Sequence, residues 1–426
     1  MTQSKIDKSL QSIKLLIIDF LNSKTEETGK RILYFEHQGL GGLHLNYEEF
    51  LQYRKCLRDL VESSVKADDL SLRTVERGFQ EALLKALNPD NCSISDDSRI
   101  NEILENLKQK LTAKRTPYRC FIPVCGIKEK GLPFSIGQVE FAVFDDSLVD
   151  RFKEIVEKHK IQRDFKWEEL KEDIDRSFYK KTCSLVVVEA KDYEAAQVIA
   201  ITKLRRVLDI LNFFSTLVLF NLNAWTYLPG DLEPYLFETI ILNENDGASY
   251  NIGSKSIGPL QELEISQIIE LDKNDNIGFD YIIKLLNKNN LNKFEQALIT
   301  AIQWAGRAVI SSRREEAFLL YAIALESIIL VDNPKTELSY RLRIRIAHLI
   351  TEKPENRSEV VNIVKDLYDL RSKLVHDGKY EITDLDIDSM RSICIKCIKR
   401  LCVDPLFQEM TSPKNFSDWL ENQILR

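Results

Sequence analysis

The chain has 426 residues, 44% of them hydrophobic and 29% charged, with a formal net charge of −7. That mixture excludes a disordered, collagen-like or coiled-coil chain, and at roughly 150 residues per domain it allows two or three domains. The acidic balance argues against non-specific coating of nucleic acid but leaves room for a local basic site.

In chain order, residues 4–22, 47–65 and 100–111 carry apolar side chains at helical spacing. Between the first two, residues 29–42 form a strand-like run ending in glycines. Strands are expected at 118–127 and 136–144, joined by a turn-rich Lys-Glu-Lys-Gly-Leu-Pro segment. Helices are expected at 147–159 and 167–178, then a strand at 183–190 and a long helix over 193–221. A loop at 225–231 and a short strand at 239–243 follow. Residues 1–290 therefore read as an α+β or α/β region of one or two subdomains. The polar stretch 288–293 is the expected hinge. Beyond it, in 291–426, the pattern is all-α, with helices at 293–311, 313–332, 336–351, 355–376, 384–402 and 415–425. Breaks at Pro334, Pro354, Gly378 and Pro405 separate them.

The apolar stretch 207–222 contains Asp209, Asn212 and Asn221 and is shorter than a membrane span. No signal peptide is recognisable, because charged residues interrupt the N-terminal apolar pattern. Eight cysteines lack the spacing of a disulfide framework, and Cys394 and Cys397 stand as a lone pair at helical spacing. A cytoplasmic protein without membrane segments, metal or cofactor is expected.

The most informative helix is 355–376, ENRSEVVNIVKDLYDLRSKLVH. Stepping 100° per residue from Val360 gathers Ile363, Val364, Leu367, Leu370, Leu374 and Val375 on one arc, the expected buried face. Arg371 falls in the middle of it, where an arginine is costly unless paired or part of a site. An acid such as Glu326 could pair with it. His376 follows five residues later, just before Asp377 and Gly378, where the helix should end.

The segment Leu367-Tyr-Asp-Leu-Arg-Ser-Lys-Leu-Val-His-Asp-Gly378 resembles the arginine–histidine helix end of the HEPN superfamily, especially its Apea-like branch. Upstream, Tyr321-Ala-Ile-Ala-Leu-Glu-Ser-Ile-Ile resembles that branch's first core helix with its glutamate. Ser339-Tyr-Arg-Leu-Arg-Ile-Arg-Ile-Ala-His-Leu resembles its second. The resemblance covers about residues 295–405 and implies an all-α HEPN bundle that dimerises and cleaves RNA without a metal. Proteins of this kind commonly serve in phage defence or as toxin-like effectors, so a phage-derived or small-molecule trigger is also implied.

The chemistry suits the residue types. RNA carries its own nucleophile, the 2′-hydroxyl, so an enzyme need only move protons and stabilise a charged phosphorane. Histidine titrates near neutral pH and can serve as acid or base. Arginine offers a permanently charged fork to phosphate oxygens. Arg371 and His376 are thus the candidate catalytic pair, with Glu326 and Ser372 supporting them. Arg341, Arg345 and Lys373 are candidates for RNA contact, and His348 shares the stripe of the two arginines. On a continuing helix Arg371 and His376 project about 140° apart, which favours a site shared between two copies. The alternative is a non-catalytic HEPN module that binds RNA or a protein partner.

Three other signals carry less. Gly39-Leu-Gly-Gly42 lacks the remainder of a phosphate loop and reads as a turn. His37 and His44 flank it without a partnering acid or cysteine cluster. Glu189-Ala-Lys191 ends a strand as half of a metal-dependent nuclease pattern, but the nearest strand-borne acids, Asp145 and Asp146, lie over forty residues upstream.

Overall fold

The computed structural model describes residues 7–15, 33–37, 41–45, 47–64, 97–112, 114–150, 180–218, 224–231, 235–242, 250–257, 261–332, 337–377 and 381–425, together with 154 and 172. The chain forms two compact units, Met1–Cys120 with Val187–Thr202, and Phe121–Val186 with Lys203–Arg426.

In the first unit, helix α1 (7–15) and helix α2 (Tyr47–Ser64) bury Leu10, Ile13 and Tyr53. The Ser9 hydroxyl donates to the Asp59 carbonyl at 3.2 Å. Strands β1 (Leu33–His37) and β2 (Gly41–Leu45) pair antiparallel, so Gly41 and Gly42 are strand residues. Helix α3 (Asp97–Thr112) is tied to α1 by a Lys108–Asp7 ion pair of 2.9 Å.

A four-stranded sheet has the order β3–β6–β5–β4, made of β3 (Thr116–Pro123), β4 (Phe134–Ile136), β5 (Val139–Val143) and β6 (Thr182–Ala190). Its β4–β5 and β5–β6 pairs are antiparallel. The strand expected at 118–127 ends at Pro123, and Cys125 and Ile127 make single bridges to Tyr227 and Leu263. The strand expected at 136–144 is a hairpin instead, folding back at Gly137, whose φ of +59° suits a residue without Cβ. Helix is described over 146–150, and most of the helices expected at 147–159 and 167–178 lies outside the described residues.

Helix α4 (Tyr193–Val218) buries Leu204 and nearly every residue from Val207 to Ser215. Its Asn212 side chain accepts from the Thr226 amide at 2.7 Å and donates to the Thr226 carbonyl at 2.9 Å, holding that loop as a strand neighbour would. The short strand expected at 239–243 is β7 (Tyr235–Leu242), paired antiparallel with β8 (Tyr250–Ile257), which the sequence reading lacks.

Nine further α-helices follow among the described residues. Helix α5 is Ile265–Asp275 and α6 is Phe279–Leu286, neither of them anticipated. Then come α7 (Lys293–Ile310), α8 (Arg314–Ile329), α9 (Leu338–Ile350) and α10 (Arg357–Asp377). The last are α11 (Asp384–Val403) and α13 (Pro413–Ile424), with a single turn, α12 (Pro405–Gln408), between them; the expected segments are present with shifted ends. Capping boxes at Asn292–Glu295, Thr383–Asp386 and Ser412–Asn415 fix three of the starts. Helix α8 buries one broad face that includes Phe318, Ala322, Leu325 and Ile329, and none of its residues from Ala317 onward is exposed, which makes it the central helix.

The expected boundary near residue 290 falls inside the second unit. Lys288 pairs with Glu295 at 2.7 Å, and the Asn292 amide reaches the Met410 carbonyl at 3.2 Å, so this polar stretch is a helix cap. Gly278 and Gly306 press on Cys402 and on the Asp209 carbonyl so closely that a Cβ would collide with either. The helical segment therefore packs with α4 and α6 as one body.

No described helix is long and apolar enough to cross a membrane.

Candidate functional site

Helix α8 is apolar from Ala317 to Ile329 except for Tyr321, Glu326 and Ser327, so a carboxylate there demands a partner. Arg371 on α10 supplies it, with Nε 3.4 Å from Glu326 Oε1 and the two side chains 32% and 31% exposed. The contact is an ion pair without hydrogen-bond geometry, and Arg371 Nε is buried with no hydrogen-bond acceptor. Burial pushes the Glu326 carboxyl above its ordinary range, and Arg371 pulls it part of the way back.

One turn earlier, the buried Tyr368 hydroxyl donates to the Ala322 carbonyl at 3.2 Å. Ala322 precedes Glu326 by four residues and Tyr368 precedes Arg371 by three, so α8 and α10 run parallel here and the hydrogen bond sets their register. This clamp delivers Arg371 to Glu326.

The buried face of α10 differs from the expected one. Val364, Leu367 and Tyr368 are buried, whereas Ile363 is 39% and Val375 50% exposed. The arc is rotated toward Tyr368 and away from Ile363, while Val375 is exposed in the last turn of the helix. Arg371 still lies on the inward side.

His376 occupies the last turn of α10, exposed and with no hydrogen bond or ion pair to described residues. Because α10 stays helical through Asp377, it stands about 7.5 Å along the axis from Arg371 and about 140° around it. One chain does not bring the two side chains together. Ser372 and Lys373 are exposed on the outer side of the helix.

Arg345 requires correction as an RNA contact. It is 4% exposed and grips Asp332 through two hydrogen bonds of 2.6 and 2.7 Å. It also donates to the Ile329 carbonyl at 3.0 Å and to Ser417 at 3.3 Å. The stripe of Arg341, Arg345 and His348 thus faces α13 near Arg345, where four of the five donors of the guanidinium are taken by protein. Arg341 is half-buried, with Nε lacking an acceptor. Burial and the neighbouring Arg357 lower the His348 imidazole pKa, while a hydrogen bond to the Gln423 backbone opposes them. One surface pair escaped the sequence reading. The Arg343 guanidinium sits 5.0 Å from the Tyr340 ring centre, and Tyr340 is 52% exposed. Its signal was the i, i+3 spacing of an aromatic and an arginine on one helix.

The remaining candidates do not assemble. In the β5–β6 register Val143 pairs with Thr182, so Asp145 lies just past the strand end, where it caps the next helical turn through the Leu148 amide at 3.0 Å. Glu189 is seven residues further along β6 than Thr182. Cys394 and Cys397 are buried thiols whose pKa values burial raises, as a core role requires. The side chains of His37 and His44, and all of His159, lie outside the described residues. Among the described residues no three His, Cys, Asp or Glu side chains gather as a metal-binding group.

No protein-family model, curated protein or solved structure matches this chain.

Proposed function

We propose that the helical segment beyond residue 290 is a HEPN-type bundle acting as an endoribonuclease, with a composite site formed by two copies of the chain. The observation that carries this reading is the placement of Arg371 and His376. The arginine leans inward beside Glu326 with an unsatisfied Nε, while the histidine is exposed on the last turn of the same helix without a bond to described residues. A two-fold axis near the end of α10 would set one copy's arginine beside the other's histidine.

Exposed apolar side chains on the same helical hairpin, Leu338 on α9 and Ile363 and Val375 on α10, suit a second copy as occupant, since that copy also completes the site. In the composite site His376 moves the proton of the 2′-hydroxyl or of the leaving oxygen, and Arg371 neutralises the phosphorane. Glu326 holds Arg371 in place, and Ser372 and Lys373 line the outer side. Arg341, with the Tyr340–Arg343 pair beside it, serves the RNA backbone and bases. The mixed α/β part is the sensing region, with a phage-derived or small-molecule trigger, and the biological role is defence or growth arrest.

The test is cleavage of RNA in EDTA by the wild type, Arg371→Ala and His376→Ala. Loss of activity by two orders of magnitude or more in both variants is expected, in line with removal of a general acid–base or a charge stabiliser. Unchanged cleavage in both would remove the assignment. RNA binding without cleavage, with the trigger supplied, would make the bundle a binding module.

A further inference from the structure

Helix α4 carries four charged residues within two turns, Lys203, Arg205, Arg206 and Asp209, and they fall on two faces. On one face the charges are matched. Arg205 reaches Asp231 at 2.6 Å, and Asp209 accepts from Arg307 Nε at 2.9 Å. On the other face stand Lys203 and Arg206, one helical turn apart and close enough to act on one ligand. Both are half-buried, and neither pairs with a carboxylate among the described residues. Arg206 Nε is buried with no hydrogen-bond acceptor. Lys203 donates to a neutral group, Gln138 Oε1, at 2.5 Å, in the turn between β4 and β5. That turn is held firmly, because the Gly137 backbone packs against Leu286 of α6.

Two half-desolvated cations without a counter-charge among the described residues are a cost that a folded protein normally avoids. Burial alone lowers the pKa of both groups, with no acid acting against it. The adjacent matched face shows that the same helix finds carboxylates where charge is only structural. An unmatched pair is expected where the counter-charge arrives with a ligand. A lysine point charge, a guanidinium fork and a side-chain amide together suit tetrahedral phosphate oxygens better than a planar carboxylate.

We propose that Lys203 and Arg206, with Gln138 beside them, form a binding site for the phosphoryl group of a small ligand. The site is separate from the Arg371–His376 pair and does not depend on the ribonuclease reading. A phosphorylated ligand bound here would stabilise the native chain by mass action.

The experiment is calorimetric titration of the full-length protein with pyrophosphate and with ADP, together with melting curves. The wild type should bind at least one of the two, and Arg206→Met and Lys203→Met should each weaken binding tenfold or more. Arg205→Met, which removes a cation already engaged by Asp231, should leave affinity within twofold. Tighter binding of ADP than of pyrophosphate would identify a nucleotide ligand, and the reverse order a free phosphate anion. Without ligand, Arg206→Met should melt no lower than the wild type, because the guanidinium has no carboxylate partner among the described residues to lose. The proposal is overturned by absence of binding to both probes, by unchanged affinity in both variants, or by an equal loss in Arg205→Met. A lower melting temperature for Arg206→Met with retained affinity would equally overturn it and assign that side chain to packing.

Discussion

Replacing Arg345 by methionine distinguishes a structural arginine from one that reads RNA. The substitution keeps the apolar stem and removes a guanidinium that makes two hydrogen bonds to Asp332, one to the Ile329 carbonyl and one to Ser417. Breaking a fully buried ion pair costs about 3–5 kcal/mol. The Asp332 side chain is 21% exposed and keeps the Ser417 hydroxyl at 2.9 Å, so part of its charge is recovered by water and that donor. A loss of about 2–3 kcal/mol remains, equivalent to a melting temperature lower by roughly 4–12 °C at about 2–4 °C per kcal/mol.

Thermal melts at neutral pH measure it, with Arg341→Ala as the comparison, expected within about 0.5 kcal/mol of the wild type. The pH dependence has a definite sign. The hydrogen bonds from Arg345 hold the Asp332 carboxyl below its ordinary value, so the pair's contribution is present above the unfolded value of about 3.9 and is lost as pH falls through the lower folded one. The deficit of Arg345→Met should therefore be constant from pH 5 to 8 and shrink in stronger acid. At temperatures where both variants are folded, Arg341→Ala should weaken RNA binding and reduce its salt dependence by about one phosphate contact, with Arg345→Met unaffected. An Arg345→Met protein that melts with the wild type, or that stays folded and loses RNA affinity, would refute the structural assignment.

Two further outcomes test the packing around α4. A Cβ on Gly306 would collide with the Asp209 carbonyl oxygen, so Gly306→Ala must separate α4 from α7 and should cost about 2–4 kcal/mol in denaturant unfolding; an unchanged midpoint would contradict that close crossing. Burial raises the Asp209 carboxyl to about 6 in spite of Arg307. The raised value means that stability is fully present below about pH 3.9 and is lost as pH rises through 6, by up to about 3 kcal/mol. Asp209→Asn should flatten that slope between pH 4 and 7, and a slope identical to the wild type's would show that another group causes it.

Where local signals suffice, the sequence reading anticipates the fold. The starts of α7, α11 and α13 are marked by side chains that cap their own helices, and the breaks at Pro354 and Pro405 act within a residue or two. The strand β8 was missed because Tyr-Asn-Ile-Gly-Ser-Lys-Ser-Ile has little apolar alternation, and its pairing with β7 supplies what propensity lacks. Helices α5 and α6 turn on Asn276 and Gly278, both at positive φ, a device visible only in the backbone. The polar stretch before α7 resembled a hinge because capping residues and linker residues are the same types.

The candidate site was legible to a similar degree. The inward position of Arg371 and its pairing with Glu326 followed from helical spacing on α10 and from the one acid within the apolar stretch of α8. The fate of Arg345 did not, since its partners Asp332 and Ser417 lie 13 and 72 residues away in sequence. Spacing identifies a stripe of residues and leaves open which neighbour the stripe faces. The two cations of α4 that meet no carboxylate among the described residues were invisible for the same reason, because pairing is a property of the folded surroundings.

The composite site is tested most directly by mixing two inactive proteins. Arg371→Ala supplies only the histidine and His376→Ala only the arginine, so a mixed dimer contains one complete site and one empty one. Equal amounts, unfolded together and refolded so that subunits exchange at random, should recover about a quarter of wild-type RNA cleavage, since half of the dimers are mixed and each has one of two sites. A mixture as inactive as either variant alone, from subunits shown to exchange, would contradict a site built from one copy's Arg371 and the other's His376.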